Sequence, residues 1–345
     1  MIVNEKKHNI ESYKIKYRIN LGIQILRMIL CFWVITFHYS GKKNKKKILK
    51  TYYHVPTFMF ISFYLSNKIY FTQNIIKIKN RLQRLFIPFL IIPIIDIIIN
   101  NINLSYSKSI INIKKIVFNL LFQYITGYKI YIILWFVHNM LILTIFFEII
   151  FYFFKEKSLF ILIILIIISY WIQYSEINYK IFRKYKKNFL SVFRFAEMIP
   201  IASTGIILGS LNLLKKIEKH KIYYMIFCFI ILFFTYKYNL FSDFKGFLFN
   251  GVQQNIASIC LFVLFSLIPL EIFKNKIYIN LIKIITNYTG GIYYFQTINY
   301  NILRKLIKSK VKTLFYCFII YIMGYKICFI GSLIFKKNKL KYLFN

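Results

Sequence analysis

The stretch LGIQILRMILCFWVITFHYS, residues 21–40, decides the fold class of this chain. Most of its side chains are apolar, and a helix of about 20 such residues is long enough to cross a lipid bilayer. Two ionisable residues, Arg27 and His38, interrupt the apolar run. Since both side chains are costly to bury in lipid, they lie either at the ends of the span or at positions chosen for chemistry.

Helical geometry places these two residues on one face. They are 11 positions apart, which at 3.6 residues per turn leaves them only about 20° out of alignment and about 16 Å apart along the axis. Gln24 falls near the same stripe. The spacing predicts a polar stripe that forms the wall of a site inside a helix bundle. The alternatives are a histidine at headgroup depth and an arginine that extends to the nearer interface.

Similar apolar runs recur along the whole chain. Its 345 residues are 59% hydrophobic, whereas soluble domains are roughly half apolar. We therefore predict an all-α, polytopic membrane helix bundle, with residues 1–345 as one domain, a polar N-terminal tail at 1–19 and a C-terminal tail at 336–345. The mixed segment 104–130 is predicted to hold a short interfacial helix around IVFNLLFQYI. Ten candidate spans follow from hydropathy: 20–39, 51–70, 84–104, 131–154, 158–175, 194–214, 221–236, 252–273, 286–303 and 313–335.

The charge balance is strongly basic, with 48 Lys and Arg against 10 Asp and Glu and a net charge of +38. These residues occur in short clusters between apolar runs and form no single basic face, so we exclude nucleic-acid binding. They are distributed almost equally between the two sets of alternating loops, so charge does not orient the chain in the membrane.

Five cysteines lie in or beside apolar runs without a CxxC pair, which favours core packing. No Gly-rich phosphate loop, GxSxG elbow, HExxH or other metal-spaced set occurs.

Four further segments carry candidate site residues. Arg81 and Arg84 stand three residues apart at the start of the third predicted span, where arginine forks suit phosphate, although a basic helix cap is equally compatible. Asp96 lies deep in that span and is predicted to be protonated, paired with an arginine, or part of a polar cavity.

Trp135 is either a site residue or a membrane-interface aromatic. Arg194 is positioned for an ion pair three residues along its helix with Glu197. The run STGIILG, residues 203–209, allows a neighbouring helix to approach closely.

Several of these segments, in their order, resemble the acyltransferase-3 family of integral membrane acyltransferases. Residues 21–40 resemble its first span, which carries an arginine and, eleven residues later, a histidine. VPTFMFISFYLSNK, residues 55–68, is similar to its second span, with Phe63 in place of the usual glycine. The other matching segments are RLQRLFIPFLI (81–91), LWFVHNMLI (134–142), RFAEMIPIASTGIILG (194–209) and TNYTGGIYYFQ (286–296), the last ending in Gln296 where many members have histidine.

The resemblance implies an enzyme that moves an acyl group, usually acetyl, from cytoplasmic acyl-CoA to a sugar hydroxyl. The acceptor would be a surface or exported glycan of the cell envelope, or its lipid-linked precursor. Acetyl-CoA would be a donor substrate and not a permanently bound cofactor. The family orientation, in the cell membrane with both termini cytoplasmic, would place the paired arginines at the cytoplasmic face and His38 toward the outer leaflet.

The resemblance also assigns roles to individual residues. His38 would be the general base or an acyl carrier, and Arg27 would orient the donor or stabilise the oxyanion. Arg81 and Arg84 would bind the phosphates of CoA. The residues expected to contact substrate or support the catalytic groups are Gln24, Trp135, Asp96 and Arg194.

Two other classes of protein remain compatible with the residues. In a transporter or flippase for a lipid-linked glycan, the intramembrane charges would line a path and perform no chemistry. A membrane sensor or scaffold would keep the fold without catalysis, and the presence of both Arg27 and His38 weighs against it.

Overall fold

The computed structural model describes residues 2–39, 53–102, 113–126, 134–174, 190–238, 251–268, 276–307, 314–336 and 338–344. Every regular element within those ranges is helical, so the all-α prediction is confirmed there. The α-helices are α1 Ile2–Tyr39, α2 His54–Thr72, α3 Ile75–Ile102, α4 Ile113–Thr126, α5 Trp135–Phe154, α6 Ser158–Tyr174, α7 Leu190–Ser210, α8 Leu213–Ile217, α9 Lys221–Tyr238, α10 Val252–Ser266, α11 Lys276–Asn287, α12 Thr289–Ile307 and α13 Leu314–Ile334. Short 3-10 helices cover Lys155–Lys157, Glu218–His220 and Lys339–Leu343.

A helix occurs at each of the ten predicted spans, but fewer meet the length and apolarity of a membrane crossing. Among the described residues, Leu21–Tyr39, Ile75–Ile99 and Phe315–Ile334 are long and apolar enough. A fourth crossing results if Arg194–Ser210 and Leu213–Lys237, which meet at a bend of 62°, form one broken span. The helical membrane-protein class is therefore supported, whereas the number of ten spans stays a prediction.

The predicted short helix is present as α4. Its residues Val117, Phe118 and Leu121 are exposed apolar side chains, and the hydroxyl of Tyr124 donates a 2.8 Å hydrogen bond to the Leu90 carbonyl on α3. Helix α4 thus packs one side against the bundle and presents apolar residues on the other.

Helix α1 lies at the centre of the molecule and separates two hydrophobic clusters. Its residues Leu26 and Leu30 belong to the first cluster, which is formed mainly with α2, α5, α6, α7 and α10. Its residues Cys31 and Ile35 belong to the second, which is formed mainly with α3, α12 and α13. Because this part of α1 buries apolar side chains on both sides, polar residues between Leu21 and Tyr39 lie close to the interior of the bundle.

Helices α2 and α7 pack closely through the small residues of the STGIILG run. A β-carbon added to Gly205 would lie 2.8 Å from the Phe60 carbonyl oxygen, and one added to Gly209 would lie 2.8 Å from that of Tyr64. Both distances are shorter than van der Waals contact, so this approach of two backbones requires glycine. The predicted close helix contact is confirmed.

Helical structure extends into both predicted tails. Helix α1 begins at Ile2 and continues without a break into the apolar segment. At the other end, Phe344 stacks between Phe295 and Phe335, with ring centroids 5.7 and 5.6 Å away, and Leu343 is buried. The C-terminal residues therefore return to the bundle and cover part of the second cluster.

Candidate active site

Arg27 extends from α1 to the point where α11 ends and α12 begins. Its Nη2 donates a 3.1 Å hydrogen bond to the Thr289 hydroxyl, which in turn donates to the Thr286 carbonyl at 3.0 Å. The thiol of Cys31, one turn further along α1, lies 3.6 Å from the Thr289 carbonyl oxygen. The guanidinium is therefore held inside the protein, which argues against an arginine that merely extends to the membrane interface.

His38 lies near the end of α1, half-buried among aromatic rings. The Phe37 ring is 5.2 Å from the His38 ring and 5.6 Å from the ring of His54 at the start of α2. Both imidazoles therefore contact the same aromatic ring. Because one α-helix carries both residues, Arg27 and His38 remain about 16 Å apart.

Sequence reasoning missed His54, which is only 1% exposed. A weak signal was available: the chain has five histidines, and this one directly precedes the VPTFMF motif. Its proximity to His38, however, depends on the packing of α2 against α1, which no local spacing encodes.

Gln24 completes the predicted stripe on α1. Its side chain is half-buried, and its Oε1 has no hydrogen-bond partner within the described part of the chain. An unpaired amide oxygen among apolar helices is costly, so Gln24 is available to a polar group that enters the bundle.

Helix α12 forms a second wall beside α1 and runs in the same direction. Its first residue, Thr289, bonds to Arg27, and two turns later Thr297 bonds to the hydroxyl of Tyr39 at 2.7 Å. The ring of Tyr39 also stacks on Tyr300 at 4.5 Å. Thus α12 follows the α1 stripe from the level of Arg27 to that of His38.

The paired arginines of α3 reach different partners. Arg81 donates from Nε to the Thr144 hydroxyl at 3.1 Å, and from Nη2 and Nη1 to the Ser62 hydroxyl and carbonyl at 3.0 and 3.4 Å. Its guanidinium also lies 4.9 Å from the ring centroid of Phe63, the residue that replaces the family glycine. Arg84 is exposed and lies 5.8 Å from the ring of Tyr342. Arg81 therefore joins α3 to α2 and α5, while Arg84 remains accessible to solvent.

Three other predicted residues lie elsewhere in the bundle. The guanidinium of Arg194 stacks at 4.0 Å on the ring of Trp135, whose 6% exposure is that of a buried ring and not of an interfacial aromatic. Glu197 is also buried and stands three residues after Arg194 on α7, a spacing at which side chains of a helix are neighbours. Asp96 is buried on α3, about 18 Å along that helix from Arg84. The structure thus unites Trp135 with Arg194 and leaves Asp96 distant from the paired arginines.

These features define an integral membrane protein whose central helix carries glutamine, arginine and histidine along one stripe. A family model described as an acyltransferase domain matches residues 20–333. The chain therefore belongs to the acyltransferase-3 family and is a membrane acyltransferase, which requires an acyl donor and an acceptor. No curated protein and no solved structure matches it.

Proposed function

We propose that the protein transfers an acyl group, in the first instance acetyl, from acyl-CoA to a hydroxyl of a surface or exported glycan or its lipid-linked precursor. The observation that carries the proposal is the position of Arg27 and His38 on the central helix of an acyltransferase-family chain. Both are directed into a bundle where a substrate can be shielded from water.

His38 supplies the proton chemistry in this proposal. A sugar hydroxyl is a poor nucleophile at neutral pH, and an imidazole that accepts its proton during attack on the thioester carbonyl accelerates the reaction by about 10²–10⁴-fold. The ester forms as the carbon–sulfur bond breaks, and CoA leaves as its thiol with the proton returned by the imidazolium. In the covalent variant, His38 first takes the acyl group, CoA leaves, and the sugar hydroxyl then attacks the acyl-imidazole.

Arg27 has a separate role because of its distance from His38. An oxyanion donor must lie about 3 Å from the reacting oxygen, and a group some 16 Å along the helix cannot share that atom with the base. Beyond the N–H bonded to Thr289, its guanidinium carries further donors. We assign these donors to the acyl-CoA arm, with the exposed Arg84 binding its phosphates at the helix start.

The test is the variant His38→Ala, assayed in membranes with radiolabelled acetyl-CoA and the glycans of the native host. We expect at least about a 100-fold loss of acyl transfer, with unchanged expression and membrane insertion. His220→Ala is the matched control, since that histidine is exposed, and it should keep wild-type activity. Transfer that survives His38→Ala would remove His38 from the reaction, and a wild-type protein that moves lipid-linked glycan without consuming acetyl-CoA would indicate a transporter.

A further inference from the structure

Two carboxamide side chains on α12 are buried without hydrogen-bond partners. Gln296 and Asn299 are both 0% exposed, and neither the oxygen nor the nitrogen of either amide has a partner among the described residues. Buried amides in folded proteins are nearly always paired, because an unpaired one loses its bonds to water. The two residues stand one helical turn apart, and both atoms of each amide are available to a polar group that enters the interface.

A third polar group lies at the same height on the neighbouring helix α13. Helices α12 and α13 are antiparallel, as a β-carbon on Gly291 would meet the thiol of Cys328 while Tyr300 lies 6.0 Å from Tyr316 near their other ends. This register places Tyr321 level with the two amides. Its hydroxyl is also buried without a partner in the described structure.

The α13 backbone leaves room for one of the amides. A β-carbon added to Gly324 would lie 3.2 Å from Nδ2 of Asn299, so glycine at this position permits the carboxamide to lie between the helices. Gly324 is one turn from Tyr321, on the same side of α13. The helix interface thus contains polar groups that have no hydrogen-bond partner among the residues that the structure describes.

The position of these groups relates them to the acyl-transfer site. Because Tyr39 contacts both Thr297 and Tyr300, the segment of α12 that holds the amides lies level with the His38 end of α1. Arg27 contacts α12 at its first residue, about 10 Å from Gln296 along the axis. The amides therefore lie in the part of α12 that contacts Tyr39, the residue that follows His38, about two to three turns beyond the residue that Arg27 contacts.

We infer that Gln296, Asn299 and the Tyr321 hydroxyl bind the hydroxyl groups of the acceptor sugar next to His38; this inference rests on the proposed function. A carboxamide both donates and accepts hydrogen bonds, as a sugar hydroxyl does, and a tyrosine hydroxyl adds a second group of the same kind. A phosphate or carboxylate is recognised instead by arginine forks. The chemistry of this set therefore suits a neutral, polyhydroxylated part of the acceptor.

The experiment compares Gln296→Met and Asn299→Leu, each close in volume to the original side chain but without hydrogen-bonding groups, with Gln296→His, which retains one donor and one acceptor. Each is expressed in the native host lacking the wild-type gene, and acetyl groups on released glycans are quantified by mass spectrometry. Acetyl-CoA thioester consumption by the same membranes and the thermal midpoint in detergent are measured in parallel. Gln173→Met is the matched control, since that amide is buried but pairs with the Ala196 carbonyl on α7.

We expect glycan acetylation to fall about tenfold for Gln296→Met and for Asn299→Leu, because each removes bonds to the acceptor, while Gln296→His and Gln173→Met retain it. The thermal midpoints of Gln296→Met and Asn299→Leu should equal or exceed that of the wild type, since neither loses a hydrogen bond within the described part of the protein, whereas Gln173→Met loses its bond to Ala196. Unchanged acetylation in both apolar variants would overturn the inference, as would a lowered midpoint that accompanies the loss, because the amides would then serve the fold through ordered water. A wild-type protein that acetylates no glycan would instead refute the proposed function itself.

Discussion

Replacement of Arg81 by methionine tests whether the two arginines of α3 have one role or two. Arg81 donates three hydrogen bonds to Ser62 and Thr144, on two other helices, and lies over the ring of Phe63. Arg84 is exposed, and its guanidinium lies 5.8 Å from the ring centroid of Tyr342. We therefore expect Arg81→Met to lower stability and Arg84→Met to lower donor affinity.

The expected loss follows from these contacts. Hydrogen bonds from a charged donor contribute roughly 1.5–3 kcal/mol each and a partly buried cation–π contact about 1 kcal/mol, and since these contributions overlap we take about 3 kcal/mol for Arg81→Met. A chain of this length loses about 1.4 °C in thermal midpoint per kcal/mol, which gives about 4 °C. For Arg84→Met the exposed contact at 5.8 Å predicts about 0.5 kcal/mol or less, which is below 1 °C.

The assay is thermal unfolding of both variants in detergent, followed by size-exclusion chromatography, with the KM for acetyl-CoA measured in membranes. Arg81→Met should shift the midpoint without a proportionate change in KM, and Arg84→Met should raise KM at an unchanged midpoint. Equal midpoints for the two variants and the wild type would refute the role of Arg81 in joining three helices. An unchanged KM in Arg84→Met would reduce that residue to a basic helix cap.

Two further predictions concern helix packing. Gly205→Leu should destabilise the protein by about 1–3 kcal/mol, because its side chain would overlap the backbone of α2 at Phe60, and a wild-type midpoint in the same detergent assay would contradict the close contact. Arg194→Met should lower the free energy of unfolding by about 2 kcal/mol, because the stacking on Trp135 at 4.0 Å is lost. In a Trp135→Leu background the same substitution should have no further effect on stability. Full additivity of the two substitutions would show that the pair does not interact.

The helices were predictable because a membrane imposes a strong local rule. In a bilayer every backbone group must be bonded within its own segment, so each long apolar run becomes a helix. This rule predicts the positions of the helices along the chain. Helix α4 and the close helix contact at Gly205 and Gly209 were also predicted from the local sequence. The rule does not give the number of crossings, because bent helices such as α7 to α9, which meet at 62°, form either one broken span or a re-entrant loop.

The site was predictable only where its residues share one helix. The alignment of Gln24, Arg27 and His38 follows from the helical repeat, since all three belong to one uninterrupted segment. Their partners follow from packing between segments that are distant in the chain: Thr289 is 262 residues from Arg27, and His54 reaches His38 through a separate helix. No periodicity in the sequence predicts such contacts. In the sequence, the amides on α12 look like ordinary polar residues within an apolar run. Only the structure shows that they are buried without partners among the described residues.

The geometry of α1 also restricts how the proposed reaction proceeds. A single helix fixes the rise between the backbone positions of Arg27 and His38 at about 16 Å while α1 stays helical, and the hydrogen bond to Thr289 directs the Arg27 guanidinium to the start of α12. In the proposed reaction the two residues would therefore act on different parts of the substrates, Arg27 on the donor arm beside Thr289 and His38 on the reacting groups. A donor held by Arg27 must extend along the stripe past Gln24 or toward His38, and only the second direction brings the thioester to the base. In the proposed reaction, the face of α1 between Arg27 and His38 and the part of α12 that contacts Arg27 and Tyr39 would therefore line the path of the acyl group to its acceptor.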